Sequence, residues 1–190
     1  MPAVVDHEAR RRAVAEVTAD LVAKAGIEAV TVREVAQAAG YSTAIVSHYF
    51  ASKVDLLFYT YRTTVLRAHQ RMETALAAGD GAMRPYLAAL LPLNAEQRRD
   101  WLVWFAFWTM AIADQTLSAE QQVRSRQITA RVATLLQQRG LQEEAAKAGA
   151  RRLLVTIYGM ASQAFFDPDR WPAATQLSLL DADLAALGVN

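Results

Sequence analysis

Cysteine is absent from this chain, which removes disulfides, thiolate zinc sites and thiol nucleophiles together and fits a reducing compartment. Histidine is scarce: His7, His48 and His69 stand far apart, none with a carboxylate or second histidine at ligand spacing. No glycine-rich phosphate loop occurs either, so enzymatic catalysis, a metal and a cofactor are all unexpected. No apolar run is long enough to cross a bilayer. The longest, from Trp101 to Ala113, suits a buried helix instead, and Met1 to Glu8 lacks the apolar core of a secretion signal. A cytoplasmic protein with no membrane partner is the expectation. Excess charge is missing as well. The chain carries a net +1, and up to Arg62 seven basic residues face seven acidic ones. Global charge therefore gives no sign of a nucleic-acid partner, and distribution must be read instead.

What is present is apolar and helical. Of 190 residues, 53% are hydrophobic, enough to fill a core. Nothing resembles strand alternation, and breakers come singly, at Gly79-Asp80-Gly81, Pro92-Leu-Asn94, Ser118, Gly140 and Asp167-Pro-Asp-Arg-Trp-Pro172. The pattern predicts an all-α fold with helices near 6–25, 32–39, 43–49, 53–78, 82–92, 96–115, 119–138, 142–166 and 172–187. Ser118-Ala-Glu-Gln121 reads as a capping box, and Gly140 followed by Leu141 as a glycine helix stop. No repeat, low-complexity tract or linker interrupts the chain.

The most informative stretch runs from Thr31 to Phe50. Thr31 before an apolar run, with Glu34 three positions on, forms a capping box that starts a helix at Val32. Val35 and Ala39 share one face, and Ala36 is small enough for a second helix to approach. Gly40 permits the positive φ of a sharp turn, and Ser42 caps the next helix. There Ile45, Val46 and Tyr49 form the apolar side, leaving Thr43, Ala44, Ser47 and His48 outward. This is the layout of a helix-turn-helix, with small outward side chains suited to base edges. Ser52 then caps a long helix whose first turn holds Lys53. A cation there opposes the helix dipole and is better explained by a phosphate.

Thr31, Arg33, Val35-Ala36, Gly40, Ser42, Tyr49-Phe50, Lys53 and Leu56 follow, without a gap, a pattern that resembles the TetR family of transcriptional regulators. The resemblance covers about the first sixty residues. Where many members carry Gly, Leu and Tyr, this chain has Ala44, Val46 and Ser47, so no tyrosine contact is available there. Ile45 to Phe50 is instead similar to the betaine-choline regulator (BetI-like) branch, where Ile-Ile-Ser-His-Tyr-Phe is usual.

The combined expectation is a DNA-binding domain at 1–52 and a ligand-binding and dimerisation domain at 53–190, acting as a repressor on double-stranded operator DNA. Thr43, Ala44, Ile45, Ser47 and His48 are expected to read bases. Tyr49 and Lys53 are expected to hold phosphates, with Thr31 and Ser42 beside the DNA and Arg10 and Arg33 adding shape-sensitive contacts.

In the body, Trp101, Trp104, Phe105 and Trp108 recur at helical spacing. Core packing and an aromatic pocket for an organic cation both satisfy that spacing. Choline is the inducer the branch resemblance implies, with Asp114, Tyr158 and Gln163 as candidate polar partners. Ile128, Val132 and Leu135 form one apolar stripe, and Leu153, Ile157, Met160 and Ala164 a second. Either is core or the surface of the homodimer that the resemblance implies, joined as a four-helix bundle. An all-helical ligand-binding or scaffold protein is the competing reading, but it leaves Thr31 to Lys53 without a purpose.

Overall fold

The computed structural model describes residues 7–189, all helix and connection with no strand among them. Residues 1–6, which include the expected start of the first helix and most of the N-terminal segment read above, lie outside the described residues. The helices are α1 (His7–Ala25), α2 (Val32–Ala39), α3 (Thr43–Tyr49), α4 (Lys53–Ala78), α5 (Met83–Ala88), α6 (Ala95–Ala113), α7 (Gln115–Gln137), α8 (Glu143–Phe166) and α9 (Ala173–Ala186). A single 3-10 turn, Ile27–Ala29, joins α1 to α2 and was not expected from the sequence.

Local chemistry explains most boundaries. Glu34 N–H donates to Thr31 Oγ1 at 3.2 Å, as a capping box requires. The Glu34 carboxylate, however, accepts from the Thr31 hydroxyl at 2.7 Å rather than from its backbone amide. Gly40 has φ 68°, and Tyr41 N–H closes on Ala36 C=O at 2.9 Å, ending α2 as a glycine-stopped helix ends. Ser42 accepts from Ile45 N–H, Ser52 from Asp55 N–H, and the Asp55 carboxylate from Ala51 N–H. At α6, Asn94 and Gln97 accept each other's backbone amides at 2.9 and 3.1 Å, a reciprocal box hidden in the Pro92 break.

The Ser118 box is a correction. The start of α7 is held by Asp114, whose Oδ1 accepts from Thr116 and Leu117 N–H at 2.8 and 3.1 Å. The helix therefore begins at Gln115 and passes straight through Ser118.

The chain divides into two compact units, and the division differs from the expected 1–52 and 53–190. One holds the described residues through Arg67 together with Arg99–Leu117; the other holds Ala68–Arg98 and the chain from Ser118 onward. The physical reason lies in α6. Trp101 and Phe107 are buried in the first unit, where Phe107 stacks on Tyr61 with ring centroids 3.8 Å apart. Trp104 Nε1 donates to Thr64 Oγ1 at 2.9 Å. An ion network completes the attachment. Arg67 of α4 bonds Asp100 and Glu16, and Arg99 bonds Glu16 and Asp20, all at 2.5–2.7 Å. Asp100 is fully buried.

The second unit packs α5 and α8 against α9 and is filled by Met83, Tyr86, Leu87, Leu136, Leu153, Ile157 and Leu180. At Gly149 a Cβ would meet Leu136 and Leu187 side chains at 3.2 Å. Arg131 holds Glu73 through two bonds of 2.8 and 2.6 Å, which keeps that carboxyl below its ordinary range.

Six of the seven expected dimer-contact residues belong to this core. Val132, Leu135, Leu153, Ile157, Met160 and Ala164 are each at most 3% exposed in the single chain, and Ile128 alone is half-buried. Side chains already enclosed by their own protomer cannot form the face of a dimer. A helical stripe of this kind looks the same whether it faces its own fold or a partner.

Candidate nucleic-acid interface

Val35 and Ala36 of α2 and Val46 of α3 are buried together in the first unit, with Val14, Ala15 and Ala19 of α1 among the other interior side chains. Burying one face of α3 fixes the other. Thr43, Ala44, Ser47 and His48 are exposed, and Ile45 and Tyr49 are half-buried beside them. The structure thus gathers the expected base-reading set on one short helix. No long side chain stands among them, so close approach is unobstructed.

Around this helix, Ser42 and Thr31 are exposed at the starts of α3 and α2, and Arg33 is exposed on the first turn of α2. Lys53 opens α4, half-buried, and pairs with no carboxylate among the described residues. Arg10 is half-buried on α1. Its neighbour Arg11 instead lies over the Tyr59 ring at 4.5 Å and the Phe50 ring at 5.4 Å, bracing the fold. Tyr59 donates to Glu8 at 2.5 Å, and burial with that carboxylate pushes its pKa up to about 12.

One participant escapes sequence reasoning. His7, on α1, has Nδ1 3.0 Å from the Tyr49 hydroxyl, although 42 positions separate the residues. No local spacing could have joined them.

The aromatic set of α6 is a tight cluster. Trp101 lies 5.0, 5.5 and 5.8 Å from the rings of Trp104, Phe105 and Trp108. Trp101 is fully enclosed and Trp104 nearly so, whereas Phe105 and Trp108 are half-buried. Trp101 and Trp104 are therefore core, as the plainer of the two readings had it. Asp114 is exposed and engaged as the α7 cap. Tyr158, pushed up to about 12 by burial, and Gln163 belong to α8 and to the other compact unit. Within that unit, α7 and α8 border an open groove of about 570 Å³ whose rim includes Arg126, Lys147 and Arg151. Lys147 is held by Glu143, which also lines the groove, and by Glu144.

Two short helices in tight contact, joined by a left-handed glycine and exposing a small polar face, define a helix-turn-helix DNA-binding protein. Residues 15–60 match the family model for bacterial regulatory proteins of the tetR family, and residues 80–189 match that for the C-terminal part of BetI-type transcriptional repressors. The chain therefore belongs to the TetR family of transcriptional regulators, in its BetI-type branch. It is 29% identical over 176 residues to the regulator PksA of Bacillus subtilis, covering 90% of this chain and 85% of that protein. It is 32% identical over 132 residues to the regulator BetI of Burkholderia mallei, covering 67% and 68%. Among solved structures, a transcriptional regulator from Rhodococcus sp. RHA1 superposes with a TM-score of 0.83 at 26% identity, over 93% of this chain and 95% of that one. A regulator from Saccharomonospora viridis in complex with choline gives 0.82 at 23%, over 94% and 96%, a likeness of fold.

Proposed function

We propose that this regulator is a homodimeric repressor whose two α3 helices read an operator of two half-sites, and that a small organic cation releases it. The exposed small-residue face of α3 carries the DNA reading. Thr43, Ala44, Ile45, Ser47 and His48 offer thymine-methyl contacts and single hydrogen bonds, with no bidentate arginine among them.

The dimer face is reassigned to the outward side of α8 with α9. Val155 is 70% and Phe166 84% exposed, Leu179 of α9 is exposed, and nothing lies within 4 Å of a Cβ built on Gly159. Such a face suits close helix packing across a two-fold axis.

The half-buried Phe105 and Trp108 are the edge of the α6 cluster open to a ligand, with Trp101 and Trp104 as its fixed backing. Indole faces attract organic cations by about 0.5–2 kcal/mol per contact. The choline bound by the Saccharomonospora structure supports the same ligand class. Release follows if the ligand binds the DNA-incompetent state more tightly; a tenfold loss of affinity needs about 1.4 kcal/mol of preference.

Indole fluorescence tests the ligand reading directly. Choline, betaine or a polyamine should change the emission and release DNA, and Trp108→Ala should weaken both effects while ligand-free DNA binding persists. An inducer indifferent to Phe105→Ala and Trp108→Ala would return the cluster to core.

A further inference from the structure

We infer that His7 is itself a contact to the DNA backbone, and that Tyr49 acts chiefly as the side chain that positions it. The proposal rests on the DNA-binding reading of α3 and adds α1 to the surface. His7 is exposed, and its ring stands edge-on to Tyr49 at 5.9 Å, with Nδ1 at hydrogen-bond distance from the phenolic oxygen. His48 completes a group of three rings, 5.3 Å from Tyr49 and 6.4 Å from His7. The group thus joins α1 to the C-terminal end of α3, next to the outward Ser47.

Proton placement decides what the group presents. If the Tyr49 hydroxyl donates to Nδ1, the neutral imidazole carries its hydrogen on Nε2, a donor free to face outward. If the imidazole is charged, Nδ1–H donates to the phenolic oxygen, and both Nε2–H and the phenolic hydrogen become available. The remaining arrangement, a neutral ring donating from Nδ1, turns a bare lone pair outward, and an approaching phosphate selects against it. Each anion-compatible state therefore aims a donor from His7 at the backbone.

The neighbouring charges permit this. Glu8, which follows His7 on α1, is bound by Tyr59. Among the described residues, Tyr49 is the hydrogen-bond partner on the His7 ring, at Nδ1. A phosphate contact from His7 adds affinity and fixes orientation without reading sequence.

The test is fluorescence anisotropy of the full chain on a short duplex of random sequence, over a range of salt. His7→Ala and Tyr49→Phe should each weaken binding by about tenfold, the scale of one charge-assisted hydrogen bond. Because the two act as one device, the double variant should bind no worse than the weaker single variant. His7→Asn, which keeps a donor, should recover part of the loss, and thermal unfolding should stay at the parental temperature in every variant. Unchanged binding by His7→Ala, or losses that multiply in the double variant, would overturn the proposal. A parental protein that ignores duplex DNA altogether would overturn the DNA-binding reading beneath it.

Discussion

Asp100 is the residue on which the attachment of α6 depends most. It is fully buried, and its carboxylate is bonded by the Arg67 guanidinium at 2.5 Å. Arg67 keeps Glu16 as a second partner, so removing the Asp100 charge leaves the guanidinium half compensated. Asp100→Asn should therefore lower unfolding free energy by about 2–3 kcal/mol, below the cost of breaking a wholly buried pair. Urea unfolding measures this, and a change under about 0.5 kcal/mol would mean that the network contributes no stability. Lys53 belongs to the other kind of residue, one whose proposed role lies in the DNA. Lys53→Ala should weaken operator and random DNA alike and flatten the salt dependence by about one unit. Loss of operator discrimination with intact non-specific affinity would give it a base-reading role instead. Of the two positions, only Lys53 stood out in the sequence. Its meaning depends on a helix start two residues long in the text, whereas Asp100 depends on Arg67 and on Glu16 beyond it, from two other helices.

Among the elements, α2, α3 and α4 were legible to the residue because their starts and stops are written locally. Thr31, Gly40, Ser42 and Ser52 each satisfy backbone groups within a few positions. The start of α7 was not, because two competing caps lie four residues apart and the stronger motif by spacing, Ser118 with Gln121, lost to Asp114. A carboxylate is the better partner for the positive end of a helix. Asp114→Ala should cost about 1 kcal/mol of stability, while Ser118→Ala should change it by less than about 0.5 kcal/mol. Equal effects in thermal unfolding would restore Ser118 as the cap. The stripes on α7 and α8 stayed open in the sequence for a different reason. Hydrophobic periodicity reports that a face is covered, not what covers it, and in Val132, Leu153 and Ile157 the cover is the protomer itself.

For the whole molecule, the unit that contains the helix-turn-helix also contains most of α6 and its aromatic cluster. A ligand held against Phe105 and Trp108 would then act on the same packed body that carries α1 and α3, through Trp104 on Thr64 and through Arg99 on Glu16 and Asp20. The sequence showed the aromatic helix and the helix-turn-helix separately. It could not show that they share a core, since the contacts that join them, such as Tyr61 on Phe107, bridge distant segments.

The central claim is that α3 reads sequence in a two-fold protein, and selection of bound duplexes from a random pool tests it most directly. The full chain should enrich an inverted repeat whose half-sites lie one helical turn, about 34–36 Å, or a multiple of it apart. His48→Ala and Ile45→Ala should alter the preferred bases at particular positions within each half. A pool that emerges without an enriched motif, or with one that both substitutions leave untouched, would contradict the account.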